Sequence, residues 1–497
     1  MTRLRLRSAL ALLTAPALAG PLAAQDPAAI EHALRFTVRA AGRPDTAMEL
    51  LDRMTSWHVP GVSIAIIDNW RVVYARGFGV QEFGARRPVD STTLFLAGSI
   101  SKPVFSSALL RFVEQRKLSL DADVTGMLTS WRLAPSPFTA TEKVTLRRLL
   151  THTAGLTVWG FPGYEMGAPI PTVPQVLGGV EPANTPKVGN DTTPGARWLY
   201  SGGGFTIAQL VATDLSGESF PALMNKLMLR PAGMTRSTYE NPLPMPRWSE
   251  AATGHEKLDT PVPGHFHVYP EMAAAGLWTT AADLGRWAIA LARSVRGEPG
   301  GILSPAMARE MVRKQVQQKP PFGTRYWGLG VAVAGDGDSL VFSHGGRDEG
   351  FVADLAMWPN KGRGIVILTN GVAPQIFGEI RRAFAEQYGV GGDARPEKAV
   401  VVVPEARLAA YAGKFVAVEG KDTIVFDISV APGGAQLAVL RPELRRSLPF
   451  APLGSDRFVN LESGVEWTFE REASGVQGRP MSLFTMVGPR KRQLTRQ

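Results

Sequence analysis

A serine and a lysine three residues apart carry the clearest chemical signal in the sequence. Ser99 and Lys102 lie in a short segment that begins at Phe95, and a spacing of three residues places both side chains on the same side of a helix. A serine hydroxyl is a poor nucleophile unless a neighbouring group takes its proton, which a partly desolvated lysine with a lowered pKa can do. The pair therefore predicts a nucleophile, Ser99, beside an activating amine, Lys102.

A helix is predicted to begin at this serine and to run through Glu114. Gly98 permits a tight entry, and Pro103 falls within the first turn, where a missing backbone N–H costs little. Apolar residues then recur at helical spacing and predict one core-facing stripe. The free N–H groups at the start of the helix would point at an oxyanion formed at Ser99. Taken alone, the spacing also fits a helix-capping serine followed by a solvated lysine. Other segments of the sequence are needed to distinguish this structural role from a catalytic one.

Length and composition bound the fold and exclude several chemistries. The 497 residues predict two or three domains, and 44% hydrophobic with 20% charged residues exclude a disordered or fibrous chain. The chain has no cysteine, which excludes disulfides, thiol catalysis and cysteine-based metal sites. His265 and His267 could offer two metal ligands, but no acidic residue adjoins them, so a loop is favoured and no metal or other cofactor is expected.

The first 24 residues are typical of a signal peptide. Three early arginines precede an apolar stretch from Ala9, and residues 22–24, Leu-Ala-Ala, resemble a cleavage site before Gln25. Pro16 and Pro21 interrupt the apolar stretch, so no membrane span is predicted once this leader is cleaved. The expected location is periplasmic or secreted.

The positive charge of the chain does not indicate a nucleic-acid partner. The formal net charge is +10, and the one dense basic run, residues 490–492, has no interleaved aromatic residues. In a chain predicted to be exported, this run is interpreted as a solvated tail.

The order of predicted elements indicates an α+β domain over residues 25–390. A helix at 46–56 and a hairpin of strands 62–67 and 71–75 come first, a helical region with helices at 219–234, 281–293 and 303–314 follows, and strands 327–333, 339–343, 351–358 and 364–369 with a helix at 375–388 close the unit. Distant segments would therefore complete one antiparallel sheet, flanked by helices and an all-helical subdomain.

The middle of the chain contains two further candidate residues. His152 ends a short predicted helix, 146–151, and a packed structural histidine is favoured there over a catalytic one, since its neighbours are small and apolar. Residues 160–195 are rich in Gly and Pro and predict a long loop that could wall a cleft. Tyr200 comes shortly afterwards, and the glycines at 202–204 are predicted to precede a helix.

Residues beyond 390 predict a separate all-β module. Residues 391–399 have the composition of a linker. Short alternating runs follow within residues 400–497 and predict a small barrel. The predicted strands are 400–403, 414–418, 423–430, 435–440, 457–460, 465–471 and 481–487.

Three motifs, in this order, resemble those of the β-lactamase-related serine hydrolases. They are Ser99-Ile100-Ser101-Lys102, Tyr200-Ser201-Gly202 and His344-Gly345-Gly346. That family includes class C β-lactamases, penicillin-binding DD-peptidases, D-aminopeptidases and esterases. The resemblance spans residues 45 to 390 and implies a β-lactamase/transpeptidase-like domain, while the appended barrel is similar to the lipocalin-like tails of some peptidases in this group.

The resemblance implies a role for each motif residue. Ser99 would form an acyl-enzyme, Lys102 would keep it deprotonated, and Tyr200 would act as general base and then as acid for the leaving group. The oxyanion would be held by the backbone N–H groups of Ser99 and Arg347, on a substrate-binding strand that also carries His344, Gly345 and Gly346.

Two departures from the family pattern restrict the substrate. Gly202 stands where many relatives have an asparagine, and His344 stands where β-lactamases have a lysine that binds a carboxylate. An exported hydrolase of an ester or a D-amino-acid-containing peptide amide is therefore favoured. A β-lactamase or DD-carboxypeptidase that acts on peptidoglycan-derived peptides, and a non-catalytic penicillin-recognising or envelope-binding protein, are the alternatives. No residue pattern indicates an oligomeric state.

Overall fold

A computed structural model describes residues 26–257, 260–318, 325–391, 395–419, 422–442, 445–471, 480–487 and 490–497. The predicted signal peptide, residues 1–24, lies outside the described residues, and so do residues 392–394 of the predicted linker.

Among the described residues, ten of the eleven α-helices lie before residue 390. The helices are α1 Leu50–Trp57, α2 Ser101–Arg116, α3 Leu146–Leu150, α4 Val173–Gly178, α5 Gly202–Ser216, α6 Phe220–Met224, α7 Met272–Ala275, α8 Ala281–Arg296, α9 Pro305–Met311, α10 Pro374–Tyr388 and α11 Glu405–Leu408. A 3₁₀ turn, Gly98–Ile100, leads into α2, and a π-helical turn, Asn225–Leu229, follows α6.

Strands fall into an early group, a central group and a C-terminal group. They are β1 Arg39–Ala40, β2 Gly61–Asp68, β3 Arg71–Gly79, β4 Phe95–Leu96, β5 His255–Lys257, β6 Thr260–Pro261, β7 Trp278–Thr279, β8 Val316–Gln317, β9 Tyr326–Trp327, β10 Ala332–Ala334, β11 Val341–Asp348, β12 Phe351–Trp358, β13 Arg363–Thr369, β14 Glu397–Lys398, β15 Gly413–Glu419, β16 Asp422–Val430, β17 Leu437–Arg441, β18 Arg446–Gly454, β19 Arg457–Val459, β20 Glu466–Arg471, β21 Pro480–Val487 and β22 Arg490–Arg496.

An eight-stranded antiparallel sheet forms the middle layer of the first unit. Its order is β3-β2-β13-β12-β11-β10-β9-β8. Along β2, Ala65 and Ile67 pack into one buried cluster with α8, whereas Ile64 and Ile66 pack into a second cluster with α1 and α10. Because successive side chains of a strand point to opposite faces, both faces of this strand are covered. The predicted α+β architecture, with a sheet completed by distant segments, is confirmed.

Helix α2 is buried on all sides rather than along one stripe. Every residue from Ser101 to Leu110 is buried. Three serines of this helix, Ser101, Ser106 and Ser107, are fully buried, and the Ser107 hydroxyl donates a hydrogen bond to the Pro103 carbonyl at 3.0 Å. Such bonding within the helix lets polar residues lie in a core, which is why apolar spacing alone underestimates the burial of α2.

Three predicted elements differ from those observed. The predicted strand 327–333 is two short strands, β9 and β10, because the chain turns at Gly330 with a φ of 82°. Strand β11 runs on to Asp348, well past the predicted end at residue 343. The glycines at 202–204 form the first turn of α5 instead of preceding it, and Ser201 caps that helix by accepting a hydrogen bond from the Gly204 N–H at 2.9 Å.

The C-terminal strands close into a barrel, β15-β16-β17-β18-β19-β20-β21-β22. The predicted small barrel is confirmed, but the prediction missed β18 and β22 and assigned a strand to residues 400–403 that is not observed. The basic run at residues 490–492 is part of β22 and is not a solvated tail. Leu494 of β22 is fully buried, and β22 pairs with both β21 and β15, so this strand closes the barrel.

The barrel shares a buried interface with the helices of the first unit. The Arg53 guanidinium donates to Glu379 on α10 at 2.7 Å and to Glu462 of the barrel at 3.1 Å. The Arg446 guanidinium also donates to Glu462, at 2.6 Å, and lies 4.3 Å from the ring centroid of Trp57. The predicted boundaries of the domains and the linker stay predictions.

Among the described residues, none of the helices has the length and apolar character needed to cross a bilayer.

Candidate active site

Ser99 lies in the 3₁₀ turn that leads into α2, two residues before the α-helix itself begins. Gly98 adopts a φ of 51°, a conformation that glycine enters at little cost. The α-helix was predicted to begin at Ser99, whereas it begins two residues later, at Ser101. The nucleophile candidate stands at the amino-terminal end of a buried helix.

Lys102 is buried, with 2% of its surface exposed. Its Nζ donates hydrogen bonds to Ser99 Oγ at 3.0 Å and to the Ala274 carbonyl at 2.8 Å. Burial lowers the pKa of Lys102 to about 7, although the charge of Asp348 opposes this shift. A large fraction of the lysine is therefore a free amine at neutral pH, beside the serine hydroxyl whose proton it would take.

Tyr200 lies on the other side of the serine. Its phenol is hydrogen-bonded to the Ser99 side chain, and burial raises the pKa of Tyr200 well above its ordinary value. The ring centroid of Tyr200 lies 5.0 Å from Lys102 Nζ. Because the phenol stays protonated near neutral pH, it can give a proton to a leaving group, but it is poorly suited to remove the first one.

Strand β11 presents an open edge beside the serine. Strand β10 pairs only with the first three residues of β11, Val341 to Ser343, so residues 344–348 have β12 as their only strand neighbour among the described residues. His344, Gly345, Gly346 and Arg347 therefore border the site on a part of β11 that is not paired with β10.

The turn that carries Ser99 packs directly against this edge. A Cβ atom added at Gly346 would lie 1.9 Å from the Ala97 carbonyl oxygen, and one added at Gly98 would lie 2.4 Å from the Arg347 nitrogen. Neither contact is sterically allowed, so both positions require glycine. The close approach brings the backbone nitrogens of Ser99 and Arg347 to the same side of the site.

The sequence pattern of the beta-lactamase family matches residues 49–388, which include all of these positions. The chain belongs to the beta-lactamase family.

Relatives and solved structures agree with this membership. The chain is 27% identical over 347 residues to penicillin-binding protein 4 of Amycolatopsis lactamdurans, which covers 68% of this chain and 88% of that protein. It is 29% identical over 187 residues to esterase EstB of Burkholderia gladioli, which covers 35% of this chain and 45% of that protein. The octameric penicillin-binding protein homologue from Pyrococcus abyssi has the same fold, with a TM-score of 0.61 at 23% identity over 90% of this chain and 98% of that one.

The predicted serine hydrolase of this family, with an appended β-barrel, is therefore confirmed at the level of the family. The individual roles predicted for Ser99, Lys102, Tyr200, His344, Gly345, Gly346 and Arg347 stay predictions.

His344 cannot supply a positive charge to this beta-lactamase-family site at neutral pH. Burial, together with the nearby positive charge of Lys102, lowers the pKa of His344 to about 3. Its Nδ1 lies 2.5 Å from the Gly345 carbonyl oxygen, and since a carbonyl only accepts hydrogen bonds, Nδ1 carries the proton and Nε2 is a bare acceptor.

His152 supports Tyr200, in line with the structural role favoured for it. Its ring lies 4.2 Å from the ring of Tyr200, centroid to centroid. Its Nδ1 accepts a hydrogen bond from the Ser201 N–H at 3.1 Å, and burial lowers the pKa of His152 well below its ordinary value. A neutral imidazole therefore packs behind the phenol and orients it.

A cavity of about 470 Å³ opens above the serine. The aromatic side chains of Trp159, Phe161 and Trp198 are among those that line it, and Trp159 is 70% exposed. Phe161 belongs to the long segment 160–195, which was predicted to wall a cleft. The cavity thus offers a wide apolar surface to a substrate beside a small group of polar reacting residues.

Several residues of the cavity were not predicted from the sequence. Asp348, Val352, Asp354 and Phe377 also line it. Asp348 comes shortly after a motif, and the pairing of β11 with β12 brings Val352 and Asp354 to the site. Phe377 lies on α10, and no local pattern pointed to it.

The two histidines considered as metal ligands have separate partners. His265 Nδ1 lies 3.2 Å from Glu82 and 3.1 Å from Thr253, whereas His267 Nδ1 donates to the Pro162 carbonyl at 2.9 Å. Within the described ranges, no group of three or more His, Asp or Glu residues could hold a metal ion.

Proposed function

We propose that this protein is an exported serine hydrolase that cleaves an ester or a D-amino-acid-containing peptide amide through an acyl-enzyme on Ser99. The observation that carries the proposal is the 3.0 Å contact between Ser99 Oγ and the Nζ of a buried lysine whose pKa burial lowers to about 7. Such a pair is an activated nucleophile rather than a structural cap.

The acylation step follows from the positions of the side chains. Lys102, as a free amine, takes the proton of Ser99 while Oγ attacks the carbonyl carbon of the substrate. The N–H groups of Ser99 and Arg347 donate to the oxyanion of the tetrahedral intermediate. Tyr200 gives its proton to the departing oxygen or nitrogen and regains one from Lys102, so the protons balance.

The deacylation step uses the same groups in reverse. A water molecule gives a proton to the Lys102–Tyr200 pair and attacks the acyl carbon, and the returning proton restores the Ser99 hydroxyl as the acid is released. The step needs no group beyond those of the chain and water.

The substrate preference rests on the charge of the cavity. With His344 neutral and Gly202 offering no side-chain amide, the inner cavity lacks the donors that would bind a carboxylate or an amide carbonyl at these positions. Arg347 carries the nearest permanent positive charge on β11, but its side chain is 64% exposed and lies 3.9 Å from Glu256. The aromatic wall of Trp159, Phe161 and Trp198 instead favours an apolar acyl group.

Two alternatives keep part of the proposal. A β-lactamase or DD-carboxypeptidase would use the same Ser99, Lys102 and Tyr200 on a carboxylate-bearing substrate, which the neutral His344 disfavours. A non-catalytic penicillin-recognising or envelope-binding protein would need a defect in this set, yet all three residues are present and in contact.

A substrate panel separates these functions. We expect the purified protein to hydrolyse p-nitrophenyl acyl esters or D-alanyl peptide amides much faster than nitrocefin, with all turnover lost in Ser99→Ala. Rapid turnover of nitrocefin without ester or D-amide cleavage would favour a β-lactamase. For the location, we expect the secreted or periplasmic fraction to contain a chain that begins at Gln25, and an uncleaved chain retained inside the cell would contradict export.

A further inference from the structure

Asp348 is a buried carboxyl group beside the nucleophile that the reaction described above does not use. It is the last residue of β11 and pairs with Phe351 across a tight hairpin. Only 5% of its surface is exposed, and it lines the cavity that contains Ser99. One of its oxygens, Oδ2, has no hydrogen-bond partner within the described part of the chain.

The hydrogen-bond donor that faces this carboxyl group is the backbone N–H of Gly98, the residue before the nucleophile. Together with Lys102, this N–H opposes the rise that burial causes in the pKa of Asp348. Gly98 is also the residue whose added Cβ atom would lie 2.4 Å from the Arg347 nitrogen. The bond therefore joins the turn that carries Ser99 to the strand that carries Arg347, at the place where the two backbones come closest.

We propose that Asp348 is a positioning residue for the oxyanion hole: by accepting the Gly98 N–H, it fixes the turn against β11 and holds the N–H groups of Ser99 and Arg347 on one point. The inference rests on the proposed function, since it assumes that these two N–H groups receive the oxyanion. Hydrogen bonds aimed at a developing charge stabilise it only if their geometry is fixed before the reaction.

Several ionisable side chains surround the Asp348 carboxyl group. Lys102 faces it from α2, Glu271 from the start of α7, and the phenols of Tyr200 and Tyr269 from the remaining sides. Burial raises the pKa of Glu271 to about 8, so Glu271 is mainly neutral at pH 7. Because burial raises the pKa of Asp348 well above its ordinary value, Asp348 affects the pKa of Lys102 only in its ionised form, in which it raises that pKa.

Two substitutions separate the hydrogen bond from the charge. Asp348→Asn keeps an oxygen that accepts the Gly98 N–H but removes the charge, whereas Asp348→Ala removes both. Glu349→Gln, one residue further and outside the cavity lining, is the matched control. The measurements are kcat and KM for a p-nitrophenyl ester, their pH profiles, and inhibition by phenylboronic acid, whose tetrahedral adduct with a serine places an oxygen where the oxyanion would lie.

For Asp348→Ala, we expect kcat to fall by about 10- to 100-fold with KM changed by less than about threefold, because the loss resembles a weakened oxyanion donor. The affinity for phenylboronic acid should fall in parallel. For Asp348→Asn, kcat and the affinity for phenylboronic acid should stay within about threefold of the wild type, because the side-chain oxygen that accepts the Gly98 N–H is kept. Glu349→Gln should leave every parameter unchanged.

Two results would overturn the inference. One is wild-type kcat and boronic-acid affinity in a folded Asp348→Ala, and the other is a loss in Asp348→Asn equal to that expected for Ala. If Asp348→Ala does not fold, Asp348→Asn still decides: retained kcat and boronic-acid affinity support the inference, and a loss of either overturns it. A failure of the proposed function is distinguishable, because the wild type itself would then show no ester or amide turnover.

Discussion

At the residue scale, the burial of one amine controls the chemistry. Lys102 is excluded from water by α2, α7 and the ring of Tyr200, and this desolvation moves its pKa close to neutrality. His344 is buried beside it and Tyr200 is partly buried, and desolvation moves their pKa values away from neutrality in opposite directions. Lys102 therefore has the pKa closest to neutrality in this set, which favours it over Tyr200 as the group that takes the serine proton, and both roles stay predictions.

The pH dependence follows from the direction of this shift. A group that must be neutral to act loses function as the pH falls below its pKa, so kcat/KM for an ester should decline below about pH 7 with one acidic limb. Lys102→Ala should retain the fold and lose acylation by about a hundredfold or more. Stopped-flow measurement of the acylation rate against pH checks both, and a Lys102→Ala variant that acylates like the wild type would contradict the role of this lysine.

The contact between Gly346 and the nucleophile turn makes a second prediction at this scale. In Gly346→Ala, the new Cβ would meet the Ala97 carbonyl oxygen at 1.9 Å, so the turn must move, with a cost of about 1–3 kcal/mol in unfolding free energy. Acylation should also fall sharply, because Ser99 and Arg347 separate.

Gly345→Ala is the matched control for stability. Its new Cβ would have a nearest neighbour at 3.7 Å, the Ala353 carbonyl oxygen, so we expect an unchanged unfolding free energy in urea. Equal destabilisation by the two alanines would show that the tight approach at Gly346 is not the cause.

At the element scale, motifs within one short segment could be predicted from the sequence, whereas the residues that the fold packs against them from distant segments could not. The Ser99–Lys102 contact depends on one helical turn, and the β2–β3 hairpin on a two-residue loop, so spacing alone predicted both. Asp348, Phe377 and Trp159 reach the cavity through strand pairing, helix packing and a long loop, which connect residues far apart in sequence. Strand β22 was missed because its basic residues resemble a solvated tail, although alternate positions such as Leu494 face the barrel interior.

The aromatic wall makes a prediction about substrate recognition. Trp159 is 70% exposed, so Trp159→Ala should leave thermal stability unchanged. It should raise KM for an aromatic acyl ester by about 2- to 10-fold, the effect of losing roughly 0.5–1.5 kcal/mol of aromatic contact. An acetyl ester, which is too small to span the cavity, is the control substrate, and an equal rise in KM for both esters would argue against an acyl site at this wall.

At the scale of the whole molecule, the barrel and the first unit share one buried apolar cluster. That cluster contains Trp57, Ile376 and Phe384 from the first unit together with Phe415 and Trp467 from the barrel. The sequence predicted a separate module joined by a linker. The composition of a linker can be read from a few neighbouring residues, whereas a buried interface between segments far apart in sequence cannot. Helix α10 carries Glu379 at this interface and Phe377 at the cavity, so the barrel supports an element of the active site.

The charge network at this interface should contribute to the stability of the whole chain. Glu462→Ala removes a buried partner of Arg53 and Arg446, and breaking such a pair costs about 3–5 kcal/mol. Glu218→Ala, which breaks an exposed pair with Lys226, should cost less than about 1 kcal/mol. Urea unfolding measures both, and similar values for the two variants would contradict a stabilising interface.

Detection of a covalent adduct on Ser99 is the most direct test of whether this serine is the nucleophile. The wild type, Ser99→Ala and Lys102→Ala are each treated with a fluorophosphonate, and the adduct is located by intact mass and peptide mapping. We expect one adduct per chain on Ser99 of the wild type, none in Ser99→Ala, and strongly slowed labelling of the folded Lys102→Ala. An unlabelled wild type, or an adduct on any other residue, would show that Ser99 is not the nucleophile.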